Sequence, residues 1–184
     1  MKTIGIVGSP RRNGNVDTLV QAVLAGAKEA GHETVKYDLN EMRFQGCQAC
    51  NYCKSHGGSC RLNDDLAPLL KDLFEADAAV FGTPIYFFQP SGQFRLMQDR
   101  FYSFLRTDFS VTLKPGKKAV IVTSQANPDA AAFAGVVKGL EKMLELFGFE
   151  PPAVIQMIGG AAPDAVKTRK DLLDKAKAAG NALS

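Results

Sequence analysis

The chain predicts a doubly wound α/β fold, in which a five-stranded parallel sheet of order 2-1-3-4-5 lies between two layers of helices. Short apolar runs alternate with longer amphipathic segments along the whole sequence, and strands separated by helices pair in parallel. The first apolar run ends in a loop with two glycines that leads directly into the first amphipathic segment. Sheets of this order bind ligands at the carboxyl ends of their strands, where the first and third strands are neighbours.

The elements follow from periodicity and turn residues. Strands are predicted at the apolar runs 4–7, 34–39, 78–82, 118–123 and 153–157. Helices are predicted from the 3.6-residue period at 16–30, 65–75, 93–105, 130–147 and 163–182. Asn63 or Asp64 is the predicted N-cap of the second helix, and Gly148 ends the fourth.

Composition predicts a single domain over residues 1–184, with a cysteine-rich loop inserted at about 41–63. The chain is 46% hydrophobic and has no long polar tract. Its net charge of +3 arises from interspersed basic and acidic residues, so no patch suited to nucleic acid or anionic lipid is expected. Met1 runs into the first strand without a signal-peptide pattern, and no apolar segment approaches the ~20 residues of a membrane span. We therefore expect a cytoplasmic protein that binds neither membrane nor nucleic acid.

The loop after the first strand predicts a phosphate site. It offers the hydroxyl of Ser9, the guanidinium of Arg11, and the amides of Asn13 and Asn15, at the N-terminus of a helix that favours anions. Its spacing fits neither the dinucleotide pattern G-x-G-x-x-G nor the Walker loop, so a phosphomonoester such as that of FMN is favoured. The alternative is an ordinary strand-to-helix turn.

A second loop, after the third strand, is placed at the same edge of the sheet. The segment from Pro84 through Ile85 and Tyr86 to Phe87 predicts a surface for a planar heterocycle, with Gly92 at the start of the next helix. The loop after the fourth strand, which contains Ser124, is predicted to form a third wall of the same pocket. The alternatives are that the aromatic residues belong to the core or to a subunit interface, and that the Ser124 loop is only a turn.

All the cysteines of the chain lie in the loop at 41–63, as Cys47, Cys50, Cys53 and Cys60. The spacing C-x2-C-x2-C lets one short loop offer three thiolates to a [4Fe–4S] cubane, and Cys60 supplies the fourth. Structural disulfides, a zinc site and unligated or reversibly oxidised thiols are the alternatives.

The chain resembles the NADPH-dependent FMN reductase group of flavodoxin-like proteins over essentially its whole length. The resemblance is carried by Gly8-Ser9-Pro10-Arg11 with Gly14-Asn15, and by Thr83-Pro84-Ile85-Tyr86 with Ser91-Gly92-Gln93 and Asp99-Arg100. It implies that Ser9, Arg11 and Asn15 bind the FMN phosphate and that residues Pro84 to Phe87 line the isoalloxazine. Relatives carry Thr or Ser at the position of Val16, so one hydroxyl contact to the phosphate is absent. Iron–sulfur flavoproteins resemble the chain in carrying a cluster of this cysteine spacing after the second strand.

These features favour an FMN-dependent NAD(P)H oxidoreductase that passes electrons to a quinone, flavin, metal or iron–sulfur acceptor. The alternative is an iron–sulfur flavoprotein fed by ferredoxin, without a tight nicotinamide site; a flavin-binding regulatory or storage protein is a third possibility. No catalytic acid–base residue is expected, because hydride transfer to a flavin does not require one. The many aromatic residues between Phe87 and Phe104 predict a homodimer or homotetramer with the flavin near the interface.

Overall fold

Five parallel strands form the centre of the protein in the order β2-β1-β3-β5-β6. They are β1 (Lys2–Val7), β2 (Glu33–Asp38), β3 (Ala78–Tyr86), β5 (Lys118–Ser124) and β6 (Ala153–Met157). A two-residue strand, β4 (Gln89–Pro90), pairs antiparallel with the end of β3. Without β4 the order is the predicted 2-1-3-4-5, so the flavodoxin-like fold is confirmed. The computed structural model describes all 184 residues.

Helices cover both faces of the sheet. They are α1 (Asn15–Glu29), α2 (Tyr52–Ser55), α3 (Leu66–Glu75), α4 (Gly92–Asp99), α5 (Ala134–Leu146) and α6 (Lys170–Asn181). Because successive strand residues point to opposite faces, Ile4 and Ile6 of β1 pack with α3, α4 and α5, whereas Val7 packs with α1 and α6. The result is two hydrophobic cores, one on each side of the sheet. No helix combines the length and the apolar character needed to cross a membrane.

Helices α1 and α6 approach each other closely through two glycines. A Cβ added to Gly26 would lie 2.0 Å from the carbonyl oxygen of Lys177, and one added to Gly180 would lie 1.9 Å from that of Val23. Real side chains cannot occupy such positions, so glycine at both sites permits the contact. The contact packs the C-terminal parts of α1 and α6 tightly together.

Two helices are shorter than predicted. The helix expected at 93–105 is α4 followed by a 3-10 segment, Arg100–Phe104, in which the Ser103 hydroxyl donates to the Arg100 carbonyl at 2.9 Å. The helix expected from residue 130 begins at Ala134, because the carboxylate and amide oxygens of Asp129 and Asn127 accept backbone N–H groups and form turns there.

Three further elements differ from the prediction. β3 extends beyond the predicted Gly82 because its next residues stay paired with β5, Pro84 opposite Ser124. The helix predicted at 163–182 begins as a 3-10 segment, Ala165–Thr168, where the N–H of Val166 donates to the side chain of Asn15. In the cysteine segment, residues 41–63, where no helix was predicted, α2 forms one turn.

Candidate functional site

A cavity of about 130 Å³ opens at the carboxyl ends of four parallel strands. The residues that line it are Ser9, Arg11, Asn15, Val16, Pro84, Ile85, Tyr86, Ser124, Ala126, Gly160, Ala161 and Pro163. The loops after β1, β3 and β5, which the sequence assigned to one pocket, therefore do meet at one place. We call this cavity the strand-end cleft.

Three of the residues predicted for the flavin site do not line the strand-end cleft. Asn13 lies in the loop after β1, where its backbone has a positive φ of 53°. Phe87 is 96% exposed, at the tip of the turn between β3 and β4. Gly92 is the first residue of α4 and contributes no side chain.

The N-terminus of α1 points into the loop that was predicted to bind phosphate. Its N-cap is Gly14, which has no side chain to accept the first N–H groups of the helix. Those groups stay available for an anion, which the helix dipole also favours. Arg11 adds a positive charge at the wall of the cleft, and the Ser9 hydroxyl accepts the N–H of Arg11 at 3.2 Å. This arrangement is suited to a phosphate group.

Asp17 stabilises the phosphate loop, the loop after β1, through hydrogen bonds of its side chain. Its buried carboxylate accepts the backbone N–H of Asn13, the amide of Gln21 and the ammonium of Lys36, each at 2.8 Å. Burial opposes its ionisation, but these hydrogen bonds outweigh burial and lower the pKa of Asp17. Lys36 also lies 3.1 Å from the carboxylate of Asp38. Sequence reasoning missed Asp17, because one acidic residue in a first helical turn is common.

The Asn15 side chain, which was predicted to bind phosphate, is bonded to the loop after β6. Its amide nitrogen donates to the carbonyls of Gly160 (3.1 Å) and Ala162 (2.8 Å), and its amide oxygen accepts the N–H of Val166 (2.9 Å). Both amide hydrogens are therefore used, and none is left for a phosphate oxygen. In this structure the Asn15 side chain positions the loop after β6, which forms the fourth wall of the cleft.

That fourth wall was also missed. Gly160, Ala161 and Pro163 follow β6 at the same edge of the sheet as the other loops, and the N–H of Gly160 donates to the carbonyl of Gln125 at 2.8 Å. The only sequence signal is Gly159-Gly160 directly after a strand, which resembles an ordinary turn.

Ser91 joins three parts of the site. Its hydroxyl donates to the Gly8 carbonyl at 2.5 Å and accepts the N–H of Phe94, which caps α4. Its backbone N–H donates to the hydroxyl of Thr83 at 3.0 Å, and that hydroxyl donates to the carbonyl of Pro84. The phosphate loop, the end of β3 and α4 are thus held in register by two small hydroxyl side chains.

The turn between β3 and β4 has an unusual backbone. Phe87 and Phe88 have positive φ values of 47° and 62°, in a hairpin turn that ordinarily uses Asn-Gly. Both rings are exposed, Phe88 by 67%, and Tyr86 is 42% exposed at the cleft. Bulky residues in the left-handed region cluster at functional sites, where the surrounding structure or a ligand maintains them.

The four cysteines line one small pocket of about 20 Å³, roughly the space of a single water molecule. All four are free thiols; Cys53 is buried, Cys50 is exposed, and Cys47 and Cys60 are half-buried. In this form no three ligating side chains lie close enough to hold a metal ion. The four cysteines thus line one pocket, and the prediction that they hold a [4Fe–4S] cluster stays a prediction.

Lys54 anchors the cysteine segment to the rest of the protein. Its ammonium donates to the carbonyls of Tyr102 and Leu105, both at 2.5 Å, and lies 3.5 Å from the centroid of the Tyr102 ring. The Tyr102 hydroxyl donates to the side-chain oxygen of Asn51 at 3.3 Å. The segment between Cys50 and Cys53 is therefore held against the 3-10 segment after α4.

The donor set, as distinct from its present spacing, fits an iron–sulfur cubane. Four thiols on one short segment are the ligands such a cluster takes. The same pocket is lined by Arg100, whose buried Nε–H has no hydrogen-bond partner. Zinc also takes four thiolates, and free thiols need no ligand, so the donor set alone does not separate these alternatives.

Three larger cavities lie away from the ends of the parallel strands, one of them of about 300 Å³ beside Lys54 and Arg106. One of about 420 Å³ lies between β4, α4 and α5, and its walls include Phe88 and Phe133. Another, of about 320 Å³, lies between the cysteine segment and α3. The strand-end cleft is smaller, but unlike these cavities it combines an uncapped helix N-terminus with loops from four strands.

Comparison with known proteins agrees with the fold. The chain is 38% identical over 125 residues to an iron–sulfur flavoprotein of Methanocaldococcus jannaschii. The aligned residues are 68% of this chain and 64% of the relative, so the chain spans less than two thirds of the relative's length. An FMN-dependent NADH-azoreductase from Bacillus anthracis, solved with FMN, superposes over 100% of this chain and 99% of its own, with a TM-score of 0.76 at 15% identity. An NAD(P)H:quinone oxidoreductase from Methanothermobacter marburgensis superposes over 100% and 96%, with a TM-score of 0.74 at 19% identity. At such identities the two structures establish the fold alone.

Residues 1–157 match the family model described as NADPH-dependent FMN reductase. The match contains the phosphate loop, the cysteine segment, the β3–β4 turn and the whole parallel sheet. The chain therefore belongs to the NADPH-dependent FMN reductase family.

Proposed function

We propose that the protein is an FMN-dependent oxidoreductase that binds the flavin in the strand-end cleft. The observation that carries this proposal is the convergence of an uncapped helix N-terminus, the Arg11 guanidinium and the Pro84–Tyr86 backbone on one cavity at the strand ends. A phosphomonoester joined to a planar ring system requires those two surfaces, one polar and cationic, the other flat and largely apolar. The family assignment supports FMN as that ligand.

Each wall has a separate task in this proposal. The loop after β1 binds the phosphate through the backbone of α1 and through Arg11. The end of β3, held by Thr83 and Ser91, positions the ring. The loop after β6, held by Asn15, closes the side of the cleft. FMN supplies the redox chemistry when bound, and the protein's residues orient it and shield it from water, so we assign no acid–base residue.

We propose NAD(P)H as the electron donor and a quinone, a flavin, a metal or an iron–sulfur centre as the acceptor. The family description names NADPH, and the relatives of similar fold include NADH- and NAD(P)H-dependent enzymes. The exposed side chains of Tyr86 and Phe87 beside the cleft are suited to stacking against a second planar molecule.

A second candidate function is supported by the cysteines. Four thiols line one pocket, and the relative from Methanocaldococcus jannaschii is an iron–sulfur flavoprotein. In this alternative, Cys47, Cys50, Cys53 and Cys60 hold a [4Fe–4S] cluster, ferredoxin delivers electrons, and nicotinamide binds weakly. For either function we propose a cytoplasmic location, in which the four cysteines stay reduced.

Two measurements separate the candidates. Steady-state oxidation of NADPH and NADH with a quinone acceptor is expected to be fast for the first function and slow for the second. Photoreduction of the flavin followed by titration with oxidised or reduced ferredoxin is expected to show electron exchange for the second. A protein that binds FMN but fails in both assays would be a flavin-binding protein without turnover, and both proposals would be wrong.

A further inference from the structure

Arg100 is the largest fully buried side chain of the protein, and a buried cation requires compensation. Its side chain is 0% exposed. One guanidinium nitrogen donates to the Gln45 carbonyl (2.9 Å) and to the Asp64 carboxylate (2.8 Å), and the other donates to the Leu62 carbonyl (3.2 Å). These contacts bind the two ends of the cysteine segment to the 3-10 segment after α4.

The compensation is incomplete in two ways. The only carboxylate that pairs with Arg100 is that of Asp64, which is itself 18% exposed and also accepts backbone N–H groups of Gln45 and Leu66. The remaining donor, Nε–H, is buried and has no acceptor. An unpaired buried donor on a charged group is unfavourable and is rare in native proteins.

The cysteine pocket is a candidate location for the missing acceptor. Arg100 lines the same pocket as Cys47, Cys50, Cys53 and Cys60. Sulfur in a neutral thiol is a poor acceptor, whereas sulfur in a metal-bound thiolate carries negative charge and accepts readily. A cubane held by four thiolates is anionic, and it becomes more so on reduction.

We propose that Arg100 is the charge-balancing residue of the cysteine centre: its buried guanidinium offsets the negative charge of a four-thiolate cluster, and its Nε–H donates to a cluster sulfur. The proposal rests on the second function above, in which the cysteines hold a cluster. Its consequence is thermodynamic. A buried positive charge stabilises the reduced cluster more than the oxidised one, so Arg100 raises the reduction potential and makes the cluster easier to reduce.

The Arg100–Asp64 pair allows a test in which the two partners act in opposite directions. Replacing Arg100 with Gln removes the positive charge, and replacing Asp64 with Asn leaves that charge without its carboxylate. We therefore expect R100Q to lower the midpoint potential of the cluster and D64N to raise it. If the pair served only to pin the cysteine segment, both variants would loosen the same contacts and shift the potential in the same direction.

The experiment uses full-length protein carrying FMN and reconstituted anaerobically with iron and sulfide. The cluster is titrated with dithionite and followed by electron paramagnetic resonance, and iron and FMN contents are measured in parallel. R43Q is the matched control, because it removes an exposed arginine from the same segment. R100K is the second variant, because it keeps the charge but lacks Nε–H; its potential is expected to lie between those of wild type and R100Q.

At a fixed potential near the wild-type midpoint, R100Q is expected to show at least a tenfold lower ratio of reduced to oxidised cluster, which is 59 mV for a one-electron couple. Loss of iron from R100Q with FMN retained, and recovery of iron in R100K, would also support the proposal. An R100Q cluster with the wild-type midpoint, or D64N shifting downward with R100Q, overturns the role of Arg100 and leaves the cluster assignment standing. Wild-type protein that takes up no iron overturns both.

Discussion

Asp17 offers the sharpest test of how the phosphate loop is built. We consider Asp17→Asn, which keeps the size and shape of the side chain and removes its charge. One carboxylate oxygen accepts the N–H of Asn13, and the other accepts both Gln21 and Lys36. An asparagine has one acceptor oxygen, so its NH₂ group must face donors on the other side.

The expected loss of stability is about 2 kcal/mol. One hydrogen bond to a charged group contributes about 1.5–3 kcal/mol. The Asp17 side chain is 4% exposed, so solvent screens the interaction little. Lys36, however, is 28% exposed and keeps Asp38 as a partner at 3.1 Å, which places the estimate near the lower end of that range. For a chain of this length the change corresponds to a fall in melting temperature of about 4–8 °C.

The pH dependence follows from the sign of the pKa shift. The pKa of Asp17 in the folded protein lies below the ordinary value of 3.8. The unfolded chain therefore takes up the proton first as pH falls, and Asp17 contributes stability above pH 3.8 that is lost as pH falls through the lower native pKa. The difference between wild type and D17N should be full at neutral pH and should shrink below pH 3.8.

The assay is urea unfolding of the FMN-free protein across this pH range, so that ligand binding does not contribute to the measured free energy. Lys36→Met and the double variant complete a mutant cycle, in which we expect a coupling energy of about 1 kcal/mol. The reasoning is refuted if D17N is as stable as wild type at neutral pH, or if its deficit stays the same in acid.

Three further predictions concern the ligands and the assembly. Arg11→Ala should weaken FMN binding about tenfold, or ~1.4 kcal/mol, because Arg11 is solvent-exposed, and should hardly change riboflavin binding, because only FMN carries the phosphate. Equal losses for the two ligands in fluorescence titrations, or no rescue by Arg11→Lys, would contradict the phosphate assignment. Cys50→Ala should abolish iron content and the broad visible absorbance while FMN stays bound, because the cysteine pocket and the strand-end cleft share no residue; loss of flavin with iron would argue against separate sites. We expect a homodimer or homotetramer. Replacing Phe87-Phe88 with Asn-Gly should dissociate this assembly without lowering the stability of the monomer, because Asn-Gly suits the turn. Wild-type protein that sediments as a monomer at micromolar concentration with FMN bound would exclude the assembly.

The fold was predictable because it depends on patterns that one sequence displays. Apolar runs such as 118–123 and the glycine at 148 determine where strands and helices begin and end, and the 2-1-3-4-5 order follows from their alternation. Helix boundaries were less accurate where side chains compete with the helix for backbone groups. Ser103 bonding to the carbonyl of Arg100 is one example, and Asn127 and Asp129 delaying α5 is another.

The site was predictable in outline, and its long-range contacts were not. The loops containing Ser9 and Tyr86 can be predicted from their composition and from their position directly after apolar strands. The pairing of Asn15 with carbonyls about 145 residues away depends on tertiary packing, which local patterns do not encode. The same holds for Arg100. In the sequence it is one charged residue of a predicted amphipathic helix, whereas in the structure its side chain is buried against the cysteine segment.

The aromatic residues near α4 show that sequence alone does not reveal which side chains are buried. The sequence contains more of them near α4 than one inward face was expected to hold. The structure buries Phe94, Phe101 and Phe104 in the protein's own core. Of the aromatic residues between Phe87 and Phe104, Phe87 and Phe88 remain widely exposed, and the prediction of an oligomer depends on them.

The most direct test of the central claim is chemical analysis and absorption spectroscopy of the anaerobically purified protein, followed by titration with FMN. We expect FMN in a stoichiometric amount, with its phosphate required for tight binding. Protein that contains no flavin, and that binds none when FMN is added, would contradict the assignment of the strand-end cleft as a flavin site.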